Sequence, residues 1–147
     1  MEIVHTLDID GSQWELQDVE ARNRIEEIVT ETNKIIDTTI GGTFNFSAKM
    51  KYLGKDETYE YYNFWWEAQT RTIDIALRSI IVTPPNTTTD KILAISINPL
   101  QLGNSSITCA TQHLSGENGS GIMTYIMNTS AATQWTISGM GILRRKK

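Results

Sequence analysis

The side chains that could carry acid–base or nucleophilic chemistry are few and widely spaced in this sequence. The two histidines, His5 and His113, are far apart, and neither has a serine or cysteine in a recognisable nucleophile context beside it. The single cysteine, Cys109, can form no disulfide within the chain and has no partner for a C-x-x-C metal site. A triad could still assemble in space from distant residues. We nevertheless expect no enzyme activity, no catalytic residue, no metal and no cofactor.

The segment Asp8-Ile9-Asp10-Gly11-Ser12 combines two carboxylates with a turn. It resembles the D-x-D-G-T signature of haloacid-dehalogenase-type phosphatases, in which the first Asp is the nucleophile and the second a general acid. That chemistry requires a parallel strand of an α/β sheet, and nothing after Gly42 alternates between strand and helix. The segment also resembles half a calcium loop, without the third acidic ligand and the terminal Glu. Asp-Gly is typical of a hairpin turn, which we predict here.

A run of aromatic residues, TYEYYNFWW, occupies residues 58–66. As a strand it would place Tyr59, Tyr61 and Trp65 on one face, and Tyr62, Phe64 and Trp66 on the other. A strand with one buried face needs only one such set, so the second must be covered by another subunit or exposed for binding. Aromatic rings stack on sugars. Tyr61 and Trp65 are therefore candidate ligand-binding residues, and burial in a subunit interface is the alternative.

The composition limits the possible partners. The chain has 147 residues, of which 39% are hydrophobic, the size of one ordinary domain. A formal charge of −4 argues against nucleic acid as a partner. The basic cluster Arg144–Lys147 is interpreted as a solvated C-terminal tail. No apolar run reaches the roughly 18 residues needed to cross a membrane, so we expect no membrane insertion.

The segment from Asp18 to Asp37 carries a heptad pattern with a polar opposite face. Its 4-3-4-3 spacing comprises Ala21, Ile25, Ile28, Thr32 and Ile35. This spacing is typical of a coiled-coil seam, and isoleucine at both a and d favours three or more strands. We predict a parallel homotrimeric stalk helix over residues 18–40. Fewer than three heptads are present, so an amphipathic helix lying on its own domain is the alternative.

After Gly41-Gly42 the apolar period switches from helical to two. From Thr43 to Tyr52 the alternate residues are apolar, and further strand-like segments follow, separated by loops rich in Gly, Asn and Ser. About eight short strands without a second helix predict a mainly β tip domain over residues 41–147. We expect an antiparallel β-sandwich of jelly-roll type, with an immunoglobulin-like sandwich as the alternative.

The N-terminal segment, residues 1–17, reads as two short strands around the Asp10-Gly11 turn. A hairpin of this size is too small to be stable alone, so it must dock onto something. We interpret residues 1–17 as an attachment segment with Trp14 and Leu16 as its apolar anchors. The opening MEIVHTLDID has no basic segment followed by an apolar run, so we expect no secretion signal.

Residues 9–28, IDGSQWELQDVEARNRIEEI, resemble the opening of many small fibre and tail-associated proteins of tailed bacteriophages and prophages. In those proteins a segment "DG-x-x-W/Y-x-x-x-D-x-x-A-R" precedes a helix and a β-rich tip. The matching residues here are Asp10, Gly11, Trp14, Asp18, Ala21 and Arg22. The resemblance implies a homotrimer whose N-terminus anchors to capsid or tail proteins of the virion and whose C-terminal domain points outward. The small size favours a head fibre or a minor baseplate or collar fibre.

We therefore expect a viral structural protein, made in the host cytoplasm without a signal peptide and assembled into the virion as a head or tail fibre. Its tip would serve host attachment, with host-surface polysaccharide as the candidate ligand. The alternatives are a cellular carbohydrate-binding module, against which the lack of a secretion signal counts, and a small decoration protein without a receptor role. A depolymerase would need carboxylates clustered in a groove, and Glu57, Glu60, Glu67 and Asp74 are scattered over strands of uncertain facing.

Overall fold

The computed structural model describes residues 6–9, 12–15, 19–74, 77–101, 107–116, 119–127 and 131–147 of the chain. They belong to two compact units, residues 1–34 and residues 35–147. The first unit holds a short hairpin and a helix, and the second is built from antiparallel strands. The prediction of a mainly β protein is confirmed. The boundary between the helical and β parts lies between residues 34 and 35, six residues before the predicted one.

The first unit begins with a two-stranded hairpin, β1 (Thr6–Ile9) and β2 (Ser12–Glu15). The strands pair antiparallel, with Leu7 opposite Trp14. A hairpin therefore forms where the Asp-Gly turn predicts one. Of the two predicted anchors, Trp14 lies in β2, whereas Leu16 lies outside the described residues.

Helix α1 follows and spans Val19–Asn33, 15 residues. At 1.5 Å per residue its length is about 22 Å. Glu20 in the first turn complements the positive end of the helix dipole and forms an exposed ion pair of 3.0 Å with Arg24 one turn later. No helix in the described part of the chain is long and apolar enough to span a membrane.

The helix is shorter than predicted. It ends at Asn33, and Ile35 opens the first strand of the second unit, β3 (Ile35–Gly42). A stalk helix over residues 18–40 with Ile35 in its seam is therefore wrong. The segment IIDTTI is rich in β-branched residues, which favour extended backbone, and it alternates between exposed Ile35 and buried Ile40 in strand fashion. The three-residue spacing between Thr32 and Ile35 matches a heptad only by coincidence.

The second unit contains eight strands. After β3 come β4 (Phe46–Lys55), β5 (Tyr59–Ile73), β6 (Ser79–Thr83), β7 (Asp90–Gln101), β8 (Ile107–Leu114), β9 (Gly121–Met127) and β10 (Thr133–Lys146). Their hydrogen-bonded order is β7-β10-β5-β4-β3-β6-β9-β8. The neighbours β6-β3-β4-β5 follow the order of a Greek key, in which the fourth strand returns beside the first. A jelly-roll order would place the first and last strands of this unit together, and β3 and β10 are not neighbours.

The sheet curls until its two edge strands, β7 and β8, meet, so the predicted sandwich layers are two halves of one nearly closed sheet. A side-chain amide spans the gap where the ladder is missing. Gln112 on β8 donates to the carbonyl of Ile97 and accepts from its N–H, both at 2.9 Å. The N–H of Ile92 adds a bond of 3.0 Å to the carbonyl of Gly119.

Alternation along the strands fills the inside of this curled sheet. Phe46, Ala48 and Met50 of β4 are buried, as the two-residue period predicts. The largest fully buried side chains elsewhere are Trp135, Tyr125, Phe64, Ile40, Ile73, Ile80, Ile92, Ile97, Met123 and Ile137.

Gly42 lies where β3 changes its partner. Residues 35–40 of β3 pair with β4, and residues 41–42 pair with β6. Gly42 has φ +119°, and a Cβ at this position would overlap the backbone of Ile81. The predicted joint at Gly41-Gly42 thus coincides with the corner at which the two halves of the sheet meet.

The basic residues at the C-terminus are part of the sheet. Arg144, Arg145 and Lys146 lie in β10 and pair with β5, so their interpretation as a solvated tail is wrong. Arg145 binds both carboxylate oxygens of buried Asp90, at 2.7 and 2.8 Å. The sequence does not reveal this role, because Asp90, the buried acidic partner of Arg145, lies 55 residues away.

Candidate functional site

The histidine and aspartate side chains that could carry catalysis form no cluster in the described part of the chain. His113 is exposed on β8, and Asp8 lies in β1. His5 and Asp10 lie outside the described residues. Among the residues that are described, no three His, Cys, Asp or Glu side chains are grouped so that they could hold a metal ion.

The remaining seam residues lie on α1. Ile25 and Ile28 are 46% and 63% exposed, and their three-residue spacing places them on one helix face. Ala21 is half-buried, and Thr32 is exposed. The hydroxyl of Thr32 donates to the carbonyl of Ile28, so its polar group is already bonded within the helix. Exposed isoleucines on one face are a surface suited to association.

The aromatic strand alternates as predicted. Tyr62, Phe64 and Trp66 of β5 are buried, whereas Tyr59, Tyr61 and Trp65 are half-buried on the outer face. The inner set belongs to the core, where Trp66 stacks on Phe46 with ring centres 5.0 Å apart. The outer set is not part of the core, so it is available for a ligand or a subunit contact.

Tyr61 is engaged in a local turn. Its hydroxyl donates to Asp56 Oδ2 at 2.6 Å, while Asp56 Oδ1 accepts the N–H groups of Thr58 and Tyr59. The hydrogen bond to Tyr61 and these two backbone bonds lower the pKa of Asp56, and the same bond raises the pKa of Tyr61. The geometry of Tyr61 is thus that of a residue that stabilises the β4–β5 connection.

Trp65 lies in a different setting. Its neighbours across the strands are Lys49 on β4 and Met140 on β10. Trp65 is four positions after Tyr61, which corresponds to roughly 13 Å along a strand. The structure therefore does not bring the two predicted ligand-binding residues together.

Beyond Trp65, strands β4 and β5 separate. The last pair in their ladder is Lys49 with Trp65, although both strands continue past this point. An open cleft of about 270 Å³ lies where they diverge, lined by Ser47, Ala48, Lys49, Trp65, Trp66, Glu67, Ala68 and Gln69. A second open cleft of about 360 Å³ shares the β4 residues and is otherwise lined by Asp37, Thr38 and Thr39 of β3.

A bulge in β5 accounts for the divergence. Gly139 pairs with Trp66 and Ile137 with Gln69, so two residues of β5, Glu67 and Ala68, oppose one residue of β10. Both Glu67 and Ala68 are exposed, which breaks the alternation of the strand. Bulges re-aim side chains and end strand pairing, and they are frequent beside functional sites.

Gln69 spans the gap that the bulge opens. Its amide donates to the carbonyl of Ser47 at 2.8 Å and accepts from the N–H of Ser47 at 3.3 Å. Arg71 donates to Gln69 Oε1 at 3.1 Å and to the carbonyl of Asn45. Side chains thus satisfy the backbone groups that a continuous ladder would pair, and they hold this end of the cleft in place.

Trp66 is one of the residues that line the cleft. It is 2% exposed, and its indole N–H has no hydrogen-bond acceptor among the described residues. An unpaired buried donor costs about 1–3 kcal/mol. Gly139 on β10 permits this position of the ring, because a Cβ there would overlap its six-membered part. The cleft lining therefore combines the half-buried side chain of Trp65 with Trp66, a residue whose buried indole N–H is unpaired.

Sequence reasoning identified Trp65 but missed the rest of the cleft. Ser47, Lys49, Glu67 and Gln69 carry no motif. One signal was available in β5: the buried positions change parity between Trp66 and Ile73, which indicates an inserted residue between them.

The chain matches no protein-family model, no curated protein and no solved structure.

Proposed function

We propose that this protein is a structural protein of a tailed-phage virion, a short homotrimeric fibre. In this proposal α1 forms the stalk, and residues 1–17 attach the protein to capsid or tail proteins through Trp14 and Leu16. The β unit, residues 35–147, is the tip, which binds saccharide on the host surface. The fibre is not an enzyme and needs no cofactor.

The observation that carries the proposal is the pair of exposed isoleucines, Ile25 and Ile28, on a helix that belongs to a unit separate from the β domain. Isoleucine at positions a and d favours coils of three or more helices. The resemblance of residues 9–28 to phage fibre proteins points to the same assembly.

Two heptads make a short stalk, and an isolated helix of 15 residues is marginal in water. Contacts between the β units must therefore contribute to a stable trimer. The outer face of β7 and β10 offers apolar surface for such contacts, since Leu93 and Ile142 are 38% and 40% exposed. The two residues lie on neighbouring strands of the sheet.

Light scattering of the purified full chain tests the assembly. A trimer has a mass of about 50 kDa, three times the 16.6 kDa of one chain. A monomer would contradict the fibre and would favour a carbohydrate-binding module. A trimer that binds no saccharide would instead favour a decoration protein without a receptor role.

A further inference from the structure

We infer that the cleft between β4 and β5 is the saccharide site of the tip, with Trp65 as its stacking platform and the Trp66 indole N–H as a buried donor. The inference rests on the proposed function and narrows it to a location and a class of ligand. It assigns no ligand contact to Tyr61, whose hydroxyl is bonded to Asp56.

The cleft is a built feature of the sheet. The bulge at Glu67–Ala68 ends the pairing of β4 with β5, and the Gln69 amide then bridges the two strands at Ser47. A continuous ladder would close the space and pair the same backbone groups without side chains. The bulge, the bridging amide and the opening occur within one short stretch, and together they produce a concave site in the sheet.

The unpaired indole N–H points independently to a ligand. Buried donors in folded proteins are nearly always bonded, and an exception calls for a specific cause. The N–H of Trp135 has a partner, since it donates to Thr133 Oγ1 at 2.9 Å, whereas the buried hydroxyl of Tyr125 has none among the described residues. Trp66 has no acceptor among the described residues and lines the cleft. A hydroxyl oxygen of a ligand in the cleft would supply one.

The chemistry of the lining favours a neutral sugar ring. Lys49 and Glu67 supply one positive and one negative charge, so the cleft has no excess of either sign to select an anion or a cation. A purely apolar ligand would offer no partner to the charges of Lys49 and Glu67 or to the Trp66 N–H. A pyranose offers C–H groups to the Trp65 ring, hydroxyl donors to Glu67 and hydroxyl acceptors to Lys49.

The size is consistent with a small ligand. The cleft of about 270 Å³ lies near the lower end of the usual range for small-molecule sites, roughly 300–1,000 Å³. The adjoining cleft of about 360 Å³, reached along Ser47 and Lys49, would accommodate a further sugar unit beside Asp37 and Thr39. An oligosaccharide is therefore expected to bind more tightly than its monosaccharide.

The test is a titration of the full chain with saccharides, monitored through the indole N–H signals in proton–nitrogen correlation spectra. The probes are glucose, galactose and N-acetylglucosamine, together with a disaccharide of each. The chain has four tryptophans, and Trp65→Phe and Trp66→Phe variants assign the two signals of interest. We expect the Trp65 and Trp66 signals to shift in a saturable way. The Trp135 signal should stay in place because its N–H is already bonded.

Substitutions then locate the site. Trp65→Ala and Glu67→Gln should each raise the Kd for the best probe roughly tenfold, a loss that only a minority of contact residues produce. Tyr61→Ala is the matched control, an aromatic residue on the same face of β5 and outside the cleft. It should change the Kd less than about twofold. Each variant is first checked for an unchanged molar mass and for a melting temperature well above the temperature of the titration.

The possible results separate the two proposals. Binding that survives Trp65→Ala and Glu67→Gln, or that Tyr61→Ala abolishes, would overturn the cleft as the site and leave a saccharide-binding tip intact. A parent chain in which no probe shifts any indole signal would overturn both the cleft site and the saccharide-binding role. The molar mass would then be the remaining test of the proposed trimeric fibre.

Discussion

The carboxylate of Asp90 is fully buried, and Arg145 binds it through two hydrogen bonds. Thr89 donates a third bond, of 3.0 Å, to the same carboxylate. The hydrogen bonds to Asp90 raise the pKa of Arg145, whose guanidinium also lies 5.1 Å from the ring centre of Tyr62. Removal of one partner of such a pair leaves a buried charge without compensation. The pair therefore makes the end of β10 sensitive to a single substitution.

We expect Arg145→Met to lower the free energy of unfolding by about 3–5 kcal/mol, the usual cost of breaking a buried ion pair from one side. Arg144→Met is the matched control. Its guanidinium lies over the ring of Tyr59, at 4.4 Å, and a partly exposed cation–π contact contributes about 0.5–1 kcal/mol. Urea unfolding of both variants measures the difference. Equal losses would show that Asp90 does not depend on Arg145.

Two tyrosines of the core make stability depend on alkaline pH. Burial, followed by a hydrogen bond to Glu60, raises the pKa of Tyr62 to about 12, and burial raises the pKa of Tyr125 to about 12. In the unfolded chain both have a pKa of about 10. Below pH 10 both states keep the proton and stability is complete. Between pH 10 and 12 only the unfolded chain releases it, so stability falls as pH rises.

We therefore expect the urea midpoint of the parent chain to decrease from pH 10 to pH 12. A variant with both Tyr62→Phe and Tyr125→Phe should show a flatter decrease, because it lacks the two hydroxyl groups whose ionisation favours the unfolded chain. The measurement is the midpoint at each pH, with phenolate absorbance as a second readout. A double variant whose midpoint falls as steeply as that of the parent would contradict the assignment.

Helix α1 leaves Ile25 and Ile28 exposed on one face. Ile28→Asp should convert a trimer into a monomer, because three carboxylates would meet in an apolar seam where unpaired charge is costly. Thr30→Asp is the matched control, since it places the same residue on the polar face of the same helix. Light scattering and thermal melting are the measurements. If Ile28→Asp keeps the mass and melting temperature of the parent, Ile28 is not in a seam.

Local patterns predicted the elements where neighbouring residues decide the structure. The alternation of Phe46, Ala48 and Met50 identified β4 and its buried face, because strand period and burial have the same origin. The same reasoning failed at Ile35, where heptad spacing and strand alternation overlap and only the pairing with β4 decides. The cleft could not be predicted from local patterns. It depends on where β4 and β5 stop pairing and on the hydrogen bonds between Gln69 and Ser47, which are 22 residues apart in the sequence.

For the whole molecule, the division into two units predicts separable roles. Deleting residues 1–16 removes the hairpin and keeps α1 and all eight strands of the sheet. We expect the shortened chain to remain trimeric and to bind saccharide like the parent. It should no longer be incorporated into particles, because the attachment segment is gone. Immunodetection in purified particles measures incorporation, and normal incorporation would exclude residues 1–16 as the attachment segment.

The position of β3 leads to a sharper test of where the tip begins. β3 lies between β4 and β6 and joins the two halves of the sheet, and its Ile40 is fully buried. A chain that starts at Ile35 keeps this strand and should unfold cooperatively in urea. A chain that starts at Thr43, near the boundary that the sequence alone suggested, loses it. The strands β4 and β6 then each lose the hydrogen bonds they make to β3, and the core loses Ile40.

We therefore expect residues 43–147 to show no cooperative transition, and residues 35–147 to show one and to remain monomeric because α1 is absent. Circular dichroism during urea unfolding and light scattering are the measurements. The longer fragment should also retain saccharide binding, since Lys49, Trp65 and Glu67 all lie within it. If residues 43–147 unfold as cooperatively as residues 35–147, β3 is not an integral strand of the tip. If residues 35–147 form a trimer, the β units assemble without the helix and α1 is not needed as a stalk.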